Sequence, residues 1–451
     1  MTARPEERAD GWDTALIALF LFGIYLGYSP KLAAGIPMPS VLAAVAGGLM
    51  LLRHYRSIDQ RHIVALIAVL VLYLIFLILV LDMEFAGERL KGFLQLSYSL
   101  AIGYAAYLTC TLYDRDRLAR IFLVFCIAIL IGCALETTAT GFRAVSDMVR
   151  ERLFDEHLYD AAARDVELYG GLRPNLFTSE PSNVGFAFTA YAFFWYVLTT
   201  VRGKTLWYAA LLGAGLLLTR SPTVVLGFAL IAPYQLLIAG RSAAGRTRGA
   251  DQAAMTVAAL TLFGVGAIAI AGGHLFAERL ATIGDNNDAS FFYRVIGPAA
   301  VALDTMSRYP IAGAGLTGEE YITDRVYQIY VTWPGFSPQW RVDKISEVLT
   351  NYFWYHWIYL GLVGGLCVLA ALFGLLRTLA APSAVFCLLV WAIMGQASGG
   401  YVAPRPWMVL LLACAVSCLH FRQPESERRA AVAHAAGRRL AGGTRRRVEF
   451  P

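Results

Sequence analysis

Charged residues are scarce in this sequence. Asp, Glu, Lys and Arg together make up 16% of the 451 residues, whereas an average soluble domain carries about 25%. Hydrophobic residues make up 58% of the chain, and its mean hydropathy is +0.56. This balance excludes a soluble enzyme, a disordered chain and a nucleic-acid-binding protein. It predicts that lipid surrounds most of the residues.

The counts of cysteine, proline and glycine exclude further classes of protein. All seven cysteines lie inside apolar stretches, where they are typical of small buried hydrophobic side chains rather than disulfides or metal ligands. The 17 prolines and 41 glycines are too few for a low-complexity chain, and no repeat of solenoid period is present. The sequence therefore predicts neither a disulfide scaffold nor a repeat protein.

Long apolar runs are what the sequence has instead. A helix needs about 20 apolar residues to cross the hydrocarbon core of a bilayer, which is about 30 Å thick. Runs near this length predict an all-helical, polytopic integral membrane protein with about twelve transmembrane helices. We expect residues 1–420 to form a single transmembrane domain. The runs lie at roughly 14–30, 36–52, 63–81, 93–112, 121–140, 183–200, 205–219, 223–239, 253–272, 351–376, 384–400 and 406–420.

The placement of lysine and arginine predicts the orientation. These residues concentrate in the short loops of one side, which is the cytoplasmic side in membrane proteins. Both termini are then cytoplasmic, and residues 421–451 form a basic cytoplasmic tail that favours anionic lipid over nucleic acid. Two long connections, at about 141–182 and 273–350, fall on the outer face and contain short helices. Because the spans carry almost no charge, we expect the functional site in these two loops.

The first long loop ends in a corner that carries Arg173 and Glu180. Pro181 suits the first position of a helix and disfavours helix at the residue before it, so Ser179 or Glu180 is expected to cap the sixth span. One interpretation is a functional corner that holds an arginine and a carboxylate over the membrane. The alternative is a plain helix cap, in which the helix dipole favours the negative charge of Glu180. Arg220 lies in the tight hairpin between the seventh and eighth spans, either as an anion ligand or as an interface arginine.

The second long loop carries a second group of candidates. Tyr293 and Arg294 begin a helical stretch, which a glycine-rich turn at 309–318 follows. Glycine lets the backbone approach another surface closely, but without a P-loop lysine this turn is weak support for phosphate binding. The aromatic residues of the loop suit either stacking against sugar rings or an interfacial belt. Together with Arg173 and Arg220, Arg294 is a candidate for binding an anion.

Four stretches of sequence occur in a recognisable order: Arg173 to Ser182, Thr219 to Ser221, Arg294 with the turn at 309–318, and Asn351 with 360–364. In this order, and with this predicted topology, the chain resembles the Wzy-type O-antigen and exopolysaccharide polymerases, which share a superfamily with the O-antigen ligases. The resemblance implies a glycosyltransferase of the bacterial inner membrane that uses no metal and no cofactor. Such an enzyme transfers a growing glycan from a polyprenyl-pyrophosphate carrier, for example undecaprenyl pyrophosphate, to the next lipid-linked repeat unit on the periplasmic side.

The reaction that the resemblance implies gives roles to the candidate residues. Arginines are always protonated and can bind two phosphate oxygens at once, so Arg173, Arg220 and Arg294 would hold the departing pyrophosphate. A general base must accept the proton of the acceptor hydroxyl. The substrate-binding candidates also include Tyr293 and Asn351, and the candidates for the base are Glu180, Glu347 and His356.

The role of His356 and the class of protein each have alternative interpretations. His356 follows Asn351 by five positions, where a packed or interfacial histidine is the other interpretation. Thr350 occupies the position at which the ligases normally have a histidine, which favours a polymerase over a ligase that transfers glycan to lipid A core. A transporter or flippase would need charge at mid-membrane, which these spans lack. The expected partners are polyprenyl-pyrophosphate-linked oligosaccharides and membrane lipid, with a chain-length regulator and a flippase as further candidates and no nucleic acid.

Overall fold

The computed structural model describes residues 11–31, 38–80, 84–154, 165–166, 170–239, 292–333 and 345–422. The regular secondary structure of these residues is helical, in agreement with the apolar runs. The predicted ninth span at 253–272 lies outside the described residues. The same holds for the basic tail from residue 423 onward and for parts of both long loops.

Every predicted span that the structure describes overlaps a helix. Up to residue 219 the helices are α1 (Gly11–Leu26), α2 (Val41–Arg53), α3 (Gln60–Leu79), α4 (Ala86–Leu112), α5 (Arg115–Thr138), α6 (Thr140–Leu153), α7 (Pro181–Leu198) and α8 (Lys204–Thr219). α9 (Pro222–Ala239) is a succession of short 3-10, α and π turns. The later helices are α10 (Gly297–Arg308), α11 (Thr323–Val331), α12 (Ile345–Val348), α13 (Tyr352–Thr378), α14 (Ala384–Gly395) and α15 (Pro404–His420).

Four of the described helices, α3, α5, α9 and α13, are long and apolar enough to cross a membrane. The other apolar helices among them, α1, α2, α8, α14 and α15, have between 12 and 17 residues. Apolar side chains of α3, such as Val64 and Ile78, are exposed, which fits contact with lipid tails rather than water. These features indicate a membrane protein, while the count of about twelve spans and their orientation stay predictions.

α7 and α15 lie in the interior of the helical bundle. Almost every residue of both helices is buried, including Phe193 and Trp407, which have no exposed surface. α15 packs along α4, and α7 packs against α5 and α8. Close packing here requires small residues, since a Cβ on Gly215 of α8 would lie 2.1 Å from the ring of Phe188. The interior helices therefore hold the polar groups at their ends in defined positions.

α13 is broken at Gly361, whose backbone angles (φ 64°, ψ −169°) are not helical. The glycine-rich turn at 309–318 docks into this break. Backbone hydrogen bonds of 2.8 to 3.0 Å join the turn to both sides of the break. The break leaves backbone N–H and C=O groups of α13 without helical partners, and the turn supplies hydrogen bonds to them. Backbone polar groups that are buried away from water require such partners. These bonds run from Ala314 N to Ile358 O, from Gly315 N to Tyr359 O, from Val363 N to Pro310 O and from Gly364 N to Ile311 O.

Candidate active site

The corner that precedes α7 is held by the side chain of Glu136 in α5. This buried carboxylate accepts the backbone N–H groups of Asn175 and Leu176, at 3.3 and 2.6 Å. Leu176 and Phe177 both have left-handed backbone angles, with φ values of 41° and 67°. That conformation costs free energy for residues other than glycine. The hydrogen bonds to Glu136 therefore fix a strained turn, and the chain enters α7 at a defined position.

Further contacts fix the last residues before α7. Arg150 is buried, and its Nε donates to the backbone oxygen of Thr178 at 2.9 Å. The first helical residue is Pro181, and the N-cap is Glu180, one of the two residues that the sequence predicted as a cap. The Glu180 side chain is exposed, and its carboxylate accepts the hydroxyl of Ser182 at 2.6 Å. A carboxylate is thus presented at the surface beside the first turn of α7.

Arg173 lies in the same corner but is paired with a carboxylate. Its Nε is 3.2 Å from Oδ1 of Asp165, and both side chains are buried. In such a pair the two charges compensate each other locally, which a buried charge requires. The guanidinium of Arg173 therefore ties residues 165–166 to the segment that leads into α7.

Arg220 follows the end of α8 and points toward the same corner. Its backbone is left-handed (φ 48°, ψ 35°), which starts the tight turn into α9. The guanidinium lies directly against Gly171, since a Cβ at that position would be 2.1 Å from Nη1. In the part of the chain that the structure describes, no group forms a hydrogen bond or ion pair with this half-buried side chain. Among the described residues Arg220 is therefore a cation without a counter-ion, and binding of an anion would offset the cost of its partial burial.

The structure adds Arg405, a residue that sequence reasoning missed. Its Nη1 donates to Oδ1 of Asn183 in the first turn of α7, and its Nε donates to the backbone oxygen of Ile24 at 3.4 Å. Glu180 lies within electrostatic range of this guanidinium. Arg405 stands between two prolines at the start of the last apolar helix. An isolated cation in such a turn is the signal that could have drawn attention to it.

These groups meet at the start of α7. Arg405 contacts Asn183, while Ser221, next to Arg220, packs against Gly185, where a Cβ would lie 2.3 Å from the serine Oγ. The N-terminus of a helix carries partial positive charge, so it attracts anions and disfavours cations. Two arginines lie beside this end of α7, and in the described ranges neither is hydrogen-bonded to a carboxylate. The site therefore suits an anion that carries more than one charge.

Tyr293, Arg294 and Asn351 form a second group, at the start of α13. Asn351 is fully buried and caps this helix, because its Oδ1 accepts two backbone N–H groups of the first turn. Its Nδ2 donates to the backbone oxygen of Arg294 at 2.7 Å. The hydroxyl of Thr350 donates to the backbone oxygen of Tyr293 at 3.2 Å. Asn351 therefore fixes the backbone that carries the other two candidates.

His356 lies further along α13 and is fully buried. Its Nδ1 is 2.8 Å from the hydroxyl of Tyr401, and its Nε2 is 3.0 Å from the backbone oxygen of Gly365. Both ring nitrogens are engaged, which is the geometry of a packed histidine, the alternative interpretation of this residue. Glu347 belongs to α12, but its side chain lies outside the described part of the chain.

Glu319 is another residue that the sequence did not bring forward. It follows the glycine-rich turn, and its Oε2 accepts the hydroxyl of Tyr359 at 2.8 Å. Burial raises the pKa of Glu319 above that of an ordinary glutamate, and hydrogen bonds, including the one from Tyr359, partly oppose this shift. Arg89 of α4 donates to the backbone oxygen of Ala314 in the same turn, at 3.2 Å. Glu319 is thus a carboxyl group anchored to the broken helix α13.

The segment between α14 and α15 connects the two groups. The side chain of Gln396 accepts Nδ2 of Asn351 at 2.9 Å, and Arg405 at the other end of the segment reaches Asn183. The structure thus places Arg173, Arg220 and Glu180 at the start of α7, and Tyr293, Arg294 and Asn351 at the start of α13.

Apolar helices long enough to cross a membrane place this chain among the multi-helix membrane proteins. The model of the WcaD colanic acid polymerase family matches residues 16–420. The match covers most of the sequence, and the chain belongs to this family. This result confirms the resemblance to Wzy-type exopolysaccharide and O-antigen polymerases. No curated protein sequence matches the chain significantly.

Membership of this family defines the activity at a coarse level. It indicates a polysaccharide polymerase, and hence an enzyme of the glycosyltransferase type. A polymerase of this kind acts on lipid-linked oligosaccharides.

Proposed function

We propose that the chain polymerises an exopolysaccharide from lipid-linked repeat units. A growing glycan on one polyprenyl-pyrophosphate carrier, such as undecaprenyl pyrophosphate, is transferred to the sugar end of a repeat unit on a second carrier. The acceptor hydroxyl oxygen bonds to the anomeric carbon of the donor, while the bond from that carbon to the pyrophosphate oxygen breaks. The electron pair leaves with the lipid pyrophosphate, and the hydroxyl proton passes to a general base.

The observation that carries this proposal is the guanidinium of Arg220 beside the start of α7, which has no hydrogen-bond or ion-pair partner among the described residues. A departing pyrophosphate gains negative charge in the transition state, and preorganised positive groups lower that barrier. Two opposite unit charges about 4 Å apart attract by about 4 kcal/mol at an effective dielectric constant of 20. Since Arg220 has no counter-ion in the described ranges, this attraction is free to act on the substrate. We expect arginines, rather than a metal ion, to be the phosphate ligands.

Glu180 is the proposed general base. Its carboxylate is exposed at the N-cap of α7, and the hydroxyl of Ser182 orients it through a 2.6 Å hydrogen bond. A base must come within hydrogen-bond distance of the hydroxyl that it deprotonates. An exposed carboxylate in the same corner as Arg220 fits this requirement. Glu347 stays a second candidate, whereas both ring nitrogens of His356 are occupied.

The other candidates have supporting roles in the proposal. Arg173, through its buried ion pair, keeps the corner in shape. Tyr293 and Arg294, held by Asn351 at the start of α13, offer an aromatic face and a cation to the glycan or to the second carrier. The segment at 396–405 is hydrogen-bonded to Asn351 near one end and to Asn183 near the other, so it links the two groups that would hold the two lipid-linked substrates.

We place both termini in the cytoplasm and the site at the periplasmic face of the bacterial inner membrane. The argument is the concentration of lysine and arginine in the short loops on the side opposite the site. Residues 1–420 would form one transmembrane domain and residues 421–451 a cytoplasmic tail. In this location a flippase would deliver the repeat units, and a chain-length regulator would be a natural partner.

Reconstitution tests the proposed function. Purified protein in proteoliposomes is supplied with undecaprenyl-pyrophosphate-linked repeat units, and the products are separated by length. A polymerase gives a ladder of glycans on the lipid carrier. Transfer of one glycan to added lipid A core would define an O-antigen ligase, and movement of the unit across the bilayer without a new glycosidic bond would define a flippase. Either result contradicts the proposal.

A further inference from the structure

Arg405 packs against the first turn of α7, and its hydrogen-bond acceptors in the described part of the chain are neutral. Its Nη1 donates to the side-chain oxygen of Asn183, and its Nε donates to the backbone oxygen of Ile24. Gly27 makes room for the remaining nitrogen, because a Cβ there would lie 2.5 Å from Nη2. In the described ranges Nη2 has no hydrogen-bond acceptor. One edge of the guanidinium is therefore left for a ligand.

This setting is unfavourable for a cation on its own. The N-terminus of a helix carries partial positive charge, so it repels a guanidinium placed beside it. Neutral oxygens replace only part of the hydration that a charge loses on burial. Glu180 is close enough to interact electrostatically, but its carboxylate is bound to Ser182 and exposed to solvent. A bound anion would offset both costs.

We propose that Arg405 is a further substrate-binding residue, which binds the pyrophosphate of a lipid carrier at the start of α7 together with Arg220. This inference rests on the function proposed above. Asn183 and Gly185 are two positions apart on the helix, so Arg405 and the hairpin at Ser221 approach α7 from different sides. The positive end of the helix lies between them and attracts the same anion. The planar fork of an arginine suits such a phosphate ligand.

The variant Asn183→Asp separates anion binding from a structural role. It keeps the oxygen to which Arg405 donates and adds a negative charge, so the existing hydrogen bond becomes an ion pair. That fixed carboxylate competes with pyrophosphate for the guanidinium. We expect binding of undecaprenyl pyrophosphate, measured by calorimetry on the purified protein in detergent micelles, to weaken by about tenfold or more. The melting temperature should stay unchanged or rise.

Arg405→Gln is the complementary variant, and Arg115→Gln is its matched control. Arg115 also donates to backbone oxygens beside α7, those of Leu198 and His420, but at the opposite end of the helix. Loss of a charge-assisted contact should make Arg405→Gln bind undecaprenyl pyrophosphate about ten- to a hundredfold more weakly. The affinity of Arg115→Gln should stay within about twofold of wild type, since that arginine is far from the site along α7.

The outcomes are distinct. If Arg405→Gln and Asn183→Asp keep wild-type affinity, Arg405 only links α1, α7 and α15, and the inference is overturned. If in that case Arg220→Gln still loses binding, the proposed function stands without Arg405. An equal loss in Arg115→Gln would show that the assay reports folding, which also overturns the inference. If the wild-type protein binds no undecaprenyl pyrophosphate, the proposed function fails as well.

Discussion

Arginines lie near both ends of α7, but their surroundings differ. At the last turn, Arg115 donates to the backbone oxygen of Leu198 at 2.6 Å, where the negative end of the helix dipole favours a cation. At the first turn, Arg220 and Arg405 face the positive end, and within the described ranges no carboxylate is hydrogen-bonded to either. Within the described ranges, Arg115 thus lies where the helix dipole favours a cation, whereas Arg220 and Arg405 lie where a bound anion would offset an unfavourable dipole.

This difference offers a physical way to separate structural arginines from candidate ligands. A structural arginine is paired with a carboxylate of its own chain, as Arg150 is with Asp147 and Arg173 is with Asp165, or it donates to carbonyls at the negative end of a helix, as Arg115 does. Arg220 has no such partner among the described residues, so it is the first arginine to test.

The largest effect is expected from Arg220→Gln. If this guanidinium stabilises the departing pyrophosphate, its loss should lower the rate of polymerisation by about 10²–10³-fold. The melting temperature should change little, because the side chain makes no hydrogen bond within the described ranges. The rate is measured as incorporation of labelled repeat units into the ladder. Arg115→Gln should show the reverse pattern, with lower stability and a near-normal rate. A near-normal rate for Arg220→Gln would remove the difference between the two ends.

The next largest effect concerns the broken helix α13, away from α7. At Gly361 a Cβ would lie 2.4 Å from the backbone oxygen of Tyr309, and its φ of 64° disfavours any other residue. Gly361→Ala should lower the free energy of unfolding by about 2–4 kcal/mol. Gly374→Ala in the same helix has open space and should be neutral or slightly stabilising. Denaturant titration measures both. Similar results for the two variants would mean that the break is not a fixed feature.

A smaller effect is expected from Gly171→Ala, which sharpens the assignment of Arg220. The added Cβ would lie 2.1 Å from Nη1 of Arg220, so the guanidinium must move. A displacement of this size should lower the polymerisation rate by about tenfold or more, with little change in melting temperature. Gly213→Ala in α8 meets nothing within 4 Å and serves as the control. Equal rates for both variants would argue that the position of Arg220 does not matter.

The smallest effect is a pH dependence at Glu319. Because burial raises the pKa of this carboxyl, its contribution to stability is largest at low pH and is lost as the pH rises through the folded-state pKa. Glu319→Gln should therefore be more stable than wild type near neutral pH, and the difference should shrink as the pH falls toward about 4.3, the ordinary pKa of a glutamate. Melting temperatures of both proteins, measured from neutral pH down to about pH 4, test whether the stability difference shrinks in this direction.

The helices of the bundle could be predicted because apolar run length and proline placement act locally. Pro181 marked the start of α7, and the break at 220–222 marked the turn between α8 and α9. The order of helices along the chain follows from the same signals. These local rules also brought Glu180 and Arg220 forward as candidates.

The contacts of the site could not be predicted in the same way. Arg405 donates to Asn183 across 222 positions of sequence, and Arg173 pairs with one acid among several in its loop. The hydrophobic pattern indicates which segments form apolar helices, but not which polar groups meet. The break at Gly361 was also hidden, because the run around it is as apolar as an unbroken span. Both features depend on packing between distant segments.

The most direct test of the account is the position of the carrier pyrophosphate. A polyprenyl pyrophosphate with a photoreactive diazirine next to the phosphates is cross-linked to the protein in proteoliposomes, and labelled peptides are identified by mass spectrometry. Labels within 171–185, 220–223 and 403–406 are expected, and excess unlabelled undecaprenyl pyrophosphate should remove them. The central claim is that the start of α7 binds the substrate anion. It would be contradicted if the labels that the unlabelled carrier removes were confined to the second group around Arg294 or to the opposite end of α7.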